Sequence, residues 1–532
     1  MAVAPVFVMP LDKATDDSQT QSMQSHIQVG LICKVPIKKS WSAYRRPVFN
    51  AIIVKKLQIQ GLMSPSQTLN SSSNSRSAVD FMGLGLVFMS SILLGVWAVK
   101  STIALRNTLL VSGALYSIIY CTRYFKNNPR TIPLKHWTPL FLLGLLLCWV
   151  VFHYLFLARF PEIQLHELTS TWLRSFLAMI MGFGAGLAIT RNLHAIHFLW
   201  MGLIGSFTYL FYQYVPKAMA LDSLFAPDYH GYIFYGKISG VLAGTILVAG
   251  LLGALIDSAK RATFFQIMLV GALWLIGTAL ALYSYVFIFD ARNGVGLAVL
   301  IFCATVFSLI WKFAKQSFAG VRPTKWTLLA VLLIGCSALM LGWFAKAQVT
   351  HNSGWSSMWE DTKIAIQIEK YPHWQNSHVM GYPQNATGDV VKTNNYERVA
   401  WATVGVTVFL PQNPFGVGVL SEPFQALLWD KYPGSGRIPS THSAWVEIAL
   451  AFGYPGLLLM FGALIATFCI SVSSPGAFQT TTGLLSLGLV LLYTVGEVST
   501  KHPIEMLCFL IALMTALLMS EGLGRASFNM SS

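Results

Sequence analysis

Apolar runs of about 17–25 residues recur roughly a dozen times between Phe81 and Ser520, and each is long enough to cross a hydrocarbon core ~30 Å thick as a helix. A transmembrane barrel would show shorter strands of alternating polarity, whereas these runs are long and continuous. With 55% hydrophobic and only 11% charged residues, the chain also lies outside the composition of soluble enzymes, about a quarter of whose residues are charged. The expected fold is all-α: a polytopic integral membrane protein with about twelve transmembrane helices. The spans fall at roughly 81 to 99, 107 to 121, 138 to 157, 172 to 190, 195 to 214, 233 to 255, 264 to 288, 294 to 311, 327 to 344, 443 to 471, 481 to 496 and 504 to 520.

The net charge of +15 would suit a nucleic-acid surface if it were clustered on a soluble domain. It is not. Nine Lys or Arg lie in residues 1–79, and the polar stretch from Lys346 to Thr441 sets seven Lys or Arg against seven Asp or Glu. The surplus sits beside spans, where it sets orientation. An even span count puts both termini on one side. With the termini in the cytoplasm, Arg123, Lys126, Arg130, Lys135, Arg191, Lys260 and Arg261 lie inside, as the positive-inside rule requires.

Residues 1–79 end in SPSQTLNSSSNSRS, which cannot build a core, and read as a disordered cytoplasmic tail. Met63 opens a shorter, more typical leader, which makes residues 1–62 a candidate non-native extension. Residues 80–345 then carry helices one to nine. Residues 346–441, rich in Trp, Tyr, Asn, Gly and Pro, form one large periplasmic loop between the ninth and tenth. Residues 442–520 carry helices ten to twelve, and 521–532 form a second cytoplasmic tail.

None of the seven cysteines lies in the large loop and no CxxC pair exists, so neither a disulfide framework nor a thiolate metal site is expected. The chain has no HExxH, no DxD and no Walker loop, so no metal, cofactor or nucleotide is implied. No internal repeat of the kind common in secondary transporters is evident.

In this orientation the polar residues at the outer ends of spans converge on one membrane face. His442 in STHSAWVE opens the tenth span, and an imidazole there is suited to general base work near neutral pH; an exposed histidine at a helix start has the same sequence. Arg292 in FDARNGVG follows the seventh span and is suited to fork onto a phosphate, or to act as an interfacial anchor paired with Asp290. Lys237 opens the sixth span and Arg398 lies in the loop, where either can add cationic charge. Arg174, Glu162 and Glu167, near the outer ends of the third and fourth spans, fit an acceptor sugar or a structural ion pair equally well. Glu447 follows His442 by five residues. On one helix that is about 140° around the axis, which predicts packing against a neighbouring helix rather than contact with the histidine.

The tract PQNPFGVGV followed by STHSAWVEIALAFGYPGLLL resembles the signature of the O-antigen ligase and polymerase superfamily, in which a Pro-x-Gly-x-Gly turn precedes a His-Ser/Asn helix. IFDARNGVG is similar to that family's Ser-Arg-Gly element, and YERVAW to its Arg-x-x-x-W approach to the turn. Ala291 departs from the usual Ser, and Lys237 stands where many members have Arg. The motifs cover about Phe234 to Gly456; the rest of the chain matches only in span count and loop position. Within the superfamily, the stretch from Trp359 through Trp374 to Val391 looks most like ligases.

The resemblance implies a GT-C-like, lipid-linked glycosyltransferase of the bacterial inner membrane. Its donor is undecaprenyl-diphosphate-linked O-antigen and its acceptor a sugar hydroxyl of lipid A core. His442 is implied as catalytic base, and Arg292, Lys237 and Arg398 as diphosphate ligands, with membrane lipids as the other partners. The same motifs are compatible with an O-antigen polymerase or an O-linked protein oligosaccharyltransferase. Outside the superfamily, a polysaccharide or lipid transporter or a structural assembly protein also accommodates twelve spans. A transporter predicts ionisable residues at mid-membrane, whereas here they crowd span ends.

Overall fold

The computed structural model describes residues 80–127, 132–227, 232–234, 236–259, 263–318, 325–351, 353–386, 388–473, 476–496 and 501–529. The tail expected over 1–79 lies outside the described residues. The first part of the chain forms α1 (Phe81–Val96), α2 (Ile103–Asn127), α3 (Leu134–Phe156), α4 (Pro161–Glu167), α5 (Leu173–Arg191), α6 (Ala195–Leu199), α7 (Met201–Ala220), α8 (Lys237–Ala259), α9 (Phe264–Tyr283), α10 (Arg292–Phe318) and α11 (Lys325–His351). Then come α12 (Met358–Ala365), α13 (Ser377–Met380), α14 (Thr393–Val404), α15 (Leu410–Gln412), α16 (Pro423–Lys431), α17 (Ala444–Ser473), α18 (Gln479–Val495) and α19 (Lys501–Asn529).

Nine helical stretches among the described residues are long and apolar enough to cross a membrane, and α1 and α18 are shorter apolar helices. Every apolar run singled out in the sequence coincides with a helix, α11 among them. No strand occurs among the described residues, only the isolated bridges Val99–Phe234 and Gln384–Val390. The chain is an all-α membrane protein. Several helices run past the expected span ends: α2 to Asn127, α7 to Ala220, α10 to Phe318, α11 to His351 and α19 to Asn529.

The bundle is organised around α8 and α19, whose apolar windows are 89% and 94% buried, against 33% for α2. In lipid, apolar side chains gain nothing from meeting each other, so close backbone approach has to drive the packing. Gly182 and Gly186, one turn apart on α5, supply it, since a Cβ on either would strike the Phe509 or Leu513 carbonyl of α19. Gly95 of α1 and Gly202 of α7 meet in the same way. Carboxylates close two helix ends, Asp80 half-buried and Asp257 buried. Asp80 accepts from Gly83 N (2.9 Å) and from the Tyr120 hydroxyl (2.6 Å). Asp257 accepts from the Thr481 amide (2.8 Å) at the start of α18, where the helix dipole favours a negative charge.

The segment between α11 and α17 has an apolar core of its own, including Trp374, Tyr396, Trp401, Phe409, Phe424 and Leu428, continuous with Val446 and Leu450 of α17. Three aromatic tips in this core find hydrogen-bond partners, as buried indoles and phenols favour. Trp401 Nε1 donates to Trp374 O (3.0 Å), Trp374 Nε1 to Ile368 O (3.0 Å) and Tyr396 OH to Tyr371 O (2.9 Å).

A contact between this segment and α17 explains why PFGVG and AFGYPG occur together. Pro455 inside α17 has no N–H to give the Ala451 carbonyl, and Gly453 breaks the helix at φ 68°, ψ −169°. The freed carbonyls are taken up by the turn. Val417 N donates to Leu450 O (3.0 Å), Gly418 N to Ala451 O (2.7 Å) and Tyr454 N to Pro414 O (2.9 Å). Trp149 Nε1 donates to Phe452 O (2.9 Å), and Glu167 takes the Leu420 and Ser421 amides, both at 2.8 Å. Gly453 occupies a backbone region essentially reserved for glycine, where another residue costs about 1–3 kcal/mol, and a Cβ would also strike the Pro414 carbonyl. Gly453→Ala is expected to destabilise the protein by at least that amount, measured as a lower thermal unfolding midpoint in detergent; an unchanged midpoint would refute this account of the joint.

Candidate active site

The segment STHS is a tight turn, not the first turn of a helix. The His442 amide donates to Ser440 Oγ (3.0 Å) and the Thr441 hydroxyl to Ser443 O (3.2 Å), and His442 itself is left-handed at φ 58°. The helix begins only at Ala444. Glu447, fully within α17, sends its carboxylate back to accept from the Thr441 amide (2.5 Å). This corrects the helical-wheel expectation: the 140° offset does not apply because His442 lies outside the helix, and Glu447 holds the turn that carries it. The imidazole stacks on Trp401, with ring centres 5.5 Å apart and planes at 24°.

His442 opens into a cavity of about 480 Å³ lined also by Arg292, Asn293, Trp355, Met358, Asn395, Arg398, Val399, Ala402, Thr403 and Val495. Three of the sequence-predicted residues, His442, Arg292 and Arg398, therefore share one chamber. Arg398 is placed by α14, whose residues Asn395, Arg398, Val399, Ala402 and Thr403 recur at the three- and four-residue spacing that puts them on one face. Arg292 starts α10, just after Asp290, which is left-handed at φ 44°, and its Nη1 donates to Asn395 Oδ1 (3.1 Å). Lys237 lines an adjoining cavity of about 20 Å³ that shares Asn293, Arg398 and Val495 with the larger one, room for about one water molecule. Its ammonium donates to the Asp290 carbonyl (2.6 Å).

The electrostatics favour an anion. Burial and the neighbouring Arg292 both disfavour the Arg398 cation, a cost that a bound anion relieves. Burial, reinforced by the Arg398 charge, pushes the His442 imidazole down to about 3. At neutral pH the site thus combines an uncharged imidazole with forked cationic donors. Among the described residues no three His, Cys, Asp or Glu side chains gather in a way that could hold a metal ion.

The remaining candidates lie elsewhere. Arg174 donates to Glu505 Oε1 (2.5 Å), whose other oxygen accepts from Trp97 Nε1 (3.0 Å); of its two sequence readings, the ion pair is the one present. Glu162 is exposed in the first turn of α4, and Glu167 holds the turn after Gly418. None of the three lines the chamber with His442. The sequence reading missed Asn395 and Asp361, and named Trp401 only as part of YERVAW, without a role. Asn395 and Trp401 had a signal, since each lies three residues from Arg398 on α14; Asp361, on a different helix, had none. No family model matches the chain, and no curated protein sequence does.

Proposed function

We propose that this chain is a glycosyltransferase of the O-antigen ligase type, moving O-antigen polysaccharide from undecaprenyl diphosphate to a sugar hydroxyl of lipid A core. In this reading it crosses the bacterial inner membrane twelve times with both termini cytoplasmic, and residues 346–441 and the chamber face the periplasm. The observation that carries the reading is the meeting of His442, Arg292 and Arg398 in one cavity, with Lys237 against it. Cationic forks suit a diphosphate, and the apolar wall of Trp355, Met358, Val399, Ala402 and Val495 suits the lipid beside it.

His442 takes the proton of the acceptor hydroxyl. The acceptor oxygen bonds to the donor's anomeric carbon as the bond from that carbon to the diphosphate oxygen breaks. The electron pair leaves on the diphosphate, where Arg398 and Arg292 receive the charge. Direct displacement inverts the anomeric centre. Because the Arg398 charge adds to burial in depressing His442, an anion bound to that arginine raises the imidazole's basicity when the donor is in place.

In the donor-free protein His442 takes up a proton only near pH 3. Transfer measured as kcat/KM, which reports the free enzyme, is therefore expected to show no acid limb from His442 between about pH 5 and 8; a limb centred near the unperturbed histidine value of about 6.5 would contradict this. The function itself is tested with the purified chain, undecaprenyl-diphosphate-linked O-antigen and lipid A core, with chelator and without nucleotide. Polymer-capped lipid A core is the expected product. Lengthening of donor chains on one another would identify a polymerase, and no reaction of either kind would remove the transferase reading.

A further inference from the structure

Arg292 is aimed by a hydrogen-bonded relay whose polarity has only one solution. Asp361 of α12 is fully buried, and its Oδ2 accepts from the Ser357 hydroxyl (2.7 Å) and from Asn395 Nδ2 (2.8 Å), with the Lys392 amide at 3.3 Å. Asn395 Nδ2 also donates to the Gly354 carbonyl (2.9 Å). Both amide hydrogens are thus committed to oxygen acceptors. Turning the amide over would set its oxygen against a carboxylate and a carbonyl, and its NH2 group against a guanidinium. The Asn395 oxygen therefore faces Arg292 Nη1, which it accepts at 3.1 Å.

We propose that Asp361 and Asn395 are positioning residues, which fix the Arg292 guanidinium in the direction that receives the donor's diphosphate. The inference rests on the reading of Arg292 as a diphosphate ligand. It adds that the large outer segment takes part in the site: α12 and α14 aim an arginine that belongs to α10 of the bundle. A guanidinium on a flexible stem otherwise loses side-chain freedom when it binds, and holding it beforehand removes that cost.

The test is equilibrium binding of undecaprenyl diphosphate to the purified full chain in detergent, with thermal unfolding followed in parallel. Asn395→Ala and Asp361→Ala should each weaken binding by about ten-fold, the scale of one hydrogen bond to a charged group. Asp361→Asn, whose oxygen still accepts from Asn395, should recover part of the loss. In an Arg292→Gln background, Asn395→Ala should weaken binding no further, since residues acting only through one group are not additive. Additive losses in that background would mean a merely structural role and overturn the proposal. Should Asp361→Ala fail to fold, Asn395→Ala alone decides, as it leaves Asp361 bonded to Ser357 and Lys392. Wild-type binding that falls with Arg292→Gln but not with Asn395→Ala would overturn this inference and leave the site reading standing; no binding by the wild type would overturn both.

Discussion

His442→Asn is expected to lower polysaccharide transfer by roughly 100- to 10,000-fold, the range that a positioned general base contributes, with little change in the thermal unfolding midpoint. Asparagine is the informative substitution because His442 sits at φ 58°. Asn and His both tolerate that region better than alanine does, so alanine would mix a folding defect with a chemical one. The amide also retains the small polar surface beside Ser440 and Ser443 but cannot take up a proton at neutral pH. The measurement is in vitro transfer at saturating donor, with the variant quantified in membranes. Transfer within a few-fold of wild type by a stably inserted His442→Asn would remove this histidine from the chemistry.

Arg398→Gln is expected to cost about 100- to 1,000-fold in transfer, as loss of one preorganised donor to a developing negative charge does elsewhere. Arg398→Lys should fall between, since it restores the charge without the fork. The same substitution carries a second, independent signature. The Arg398 charge depresses His442, and burial depresses it further. Removing the charge leaves burial in place, so the imidazole rises but stays below its ordinary value. The acid limb of kcat/KM should accordingly move up in pH in Arg398→Gln. A large loss of activity with an unmoved limb would separate Arg398 from His442 and leave it a donor ligand alone.

The helices of the bundle were legible because an apolar run of that length has one answer in a bilayer, and all twelve runs coincide with helices. The gathering of His442 and Arg292 was legible because each lies at or just before the start of a long apolar helix, and Arg398 lies in the segment that joins two such helices. Other features followed the sequence less directly. Arg174 had two readings of equal weight, and the ion pair becomes visible only when folding brings up the buried Glu505, distant in sequence. Glu447 was misjudged because helical periodicity was extended two residues past the true start of α17 at Ala444, where the Ser440–His442 turn takes over.

By itself, then, the sequence determined an all-α membrane protein and the residue types that gather in one chamber beside its helix ends, since hydrophobic length and charge placement act locally along the chain. Tertiary structure alone decided how those residues are held. The docking of the Pro414–Gly418 turn on the kink at Gly453, the return of Glu447 to Thr441, and the relay from Asp361 through Asn395 to Arg292 each depend on directed hydrogen bonds. Such bonds form only where folding brings a donor and an acceptor within about 3 Å, a condition that no periodicity along the chain encodes.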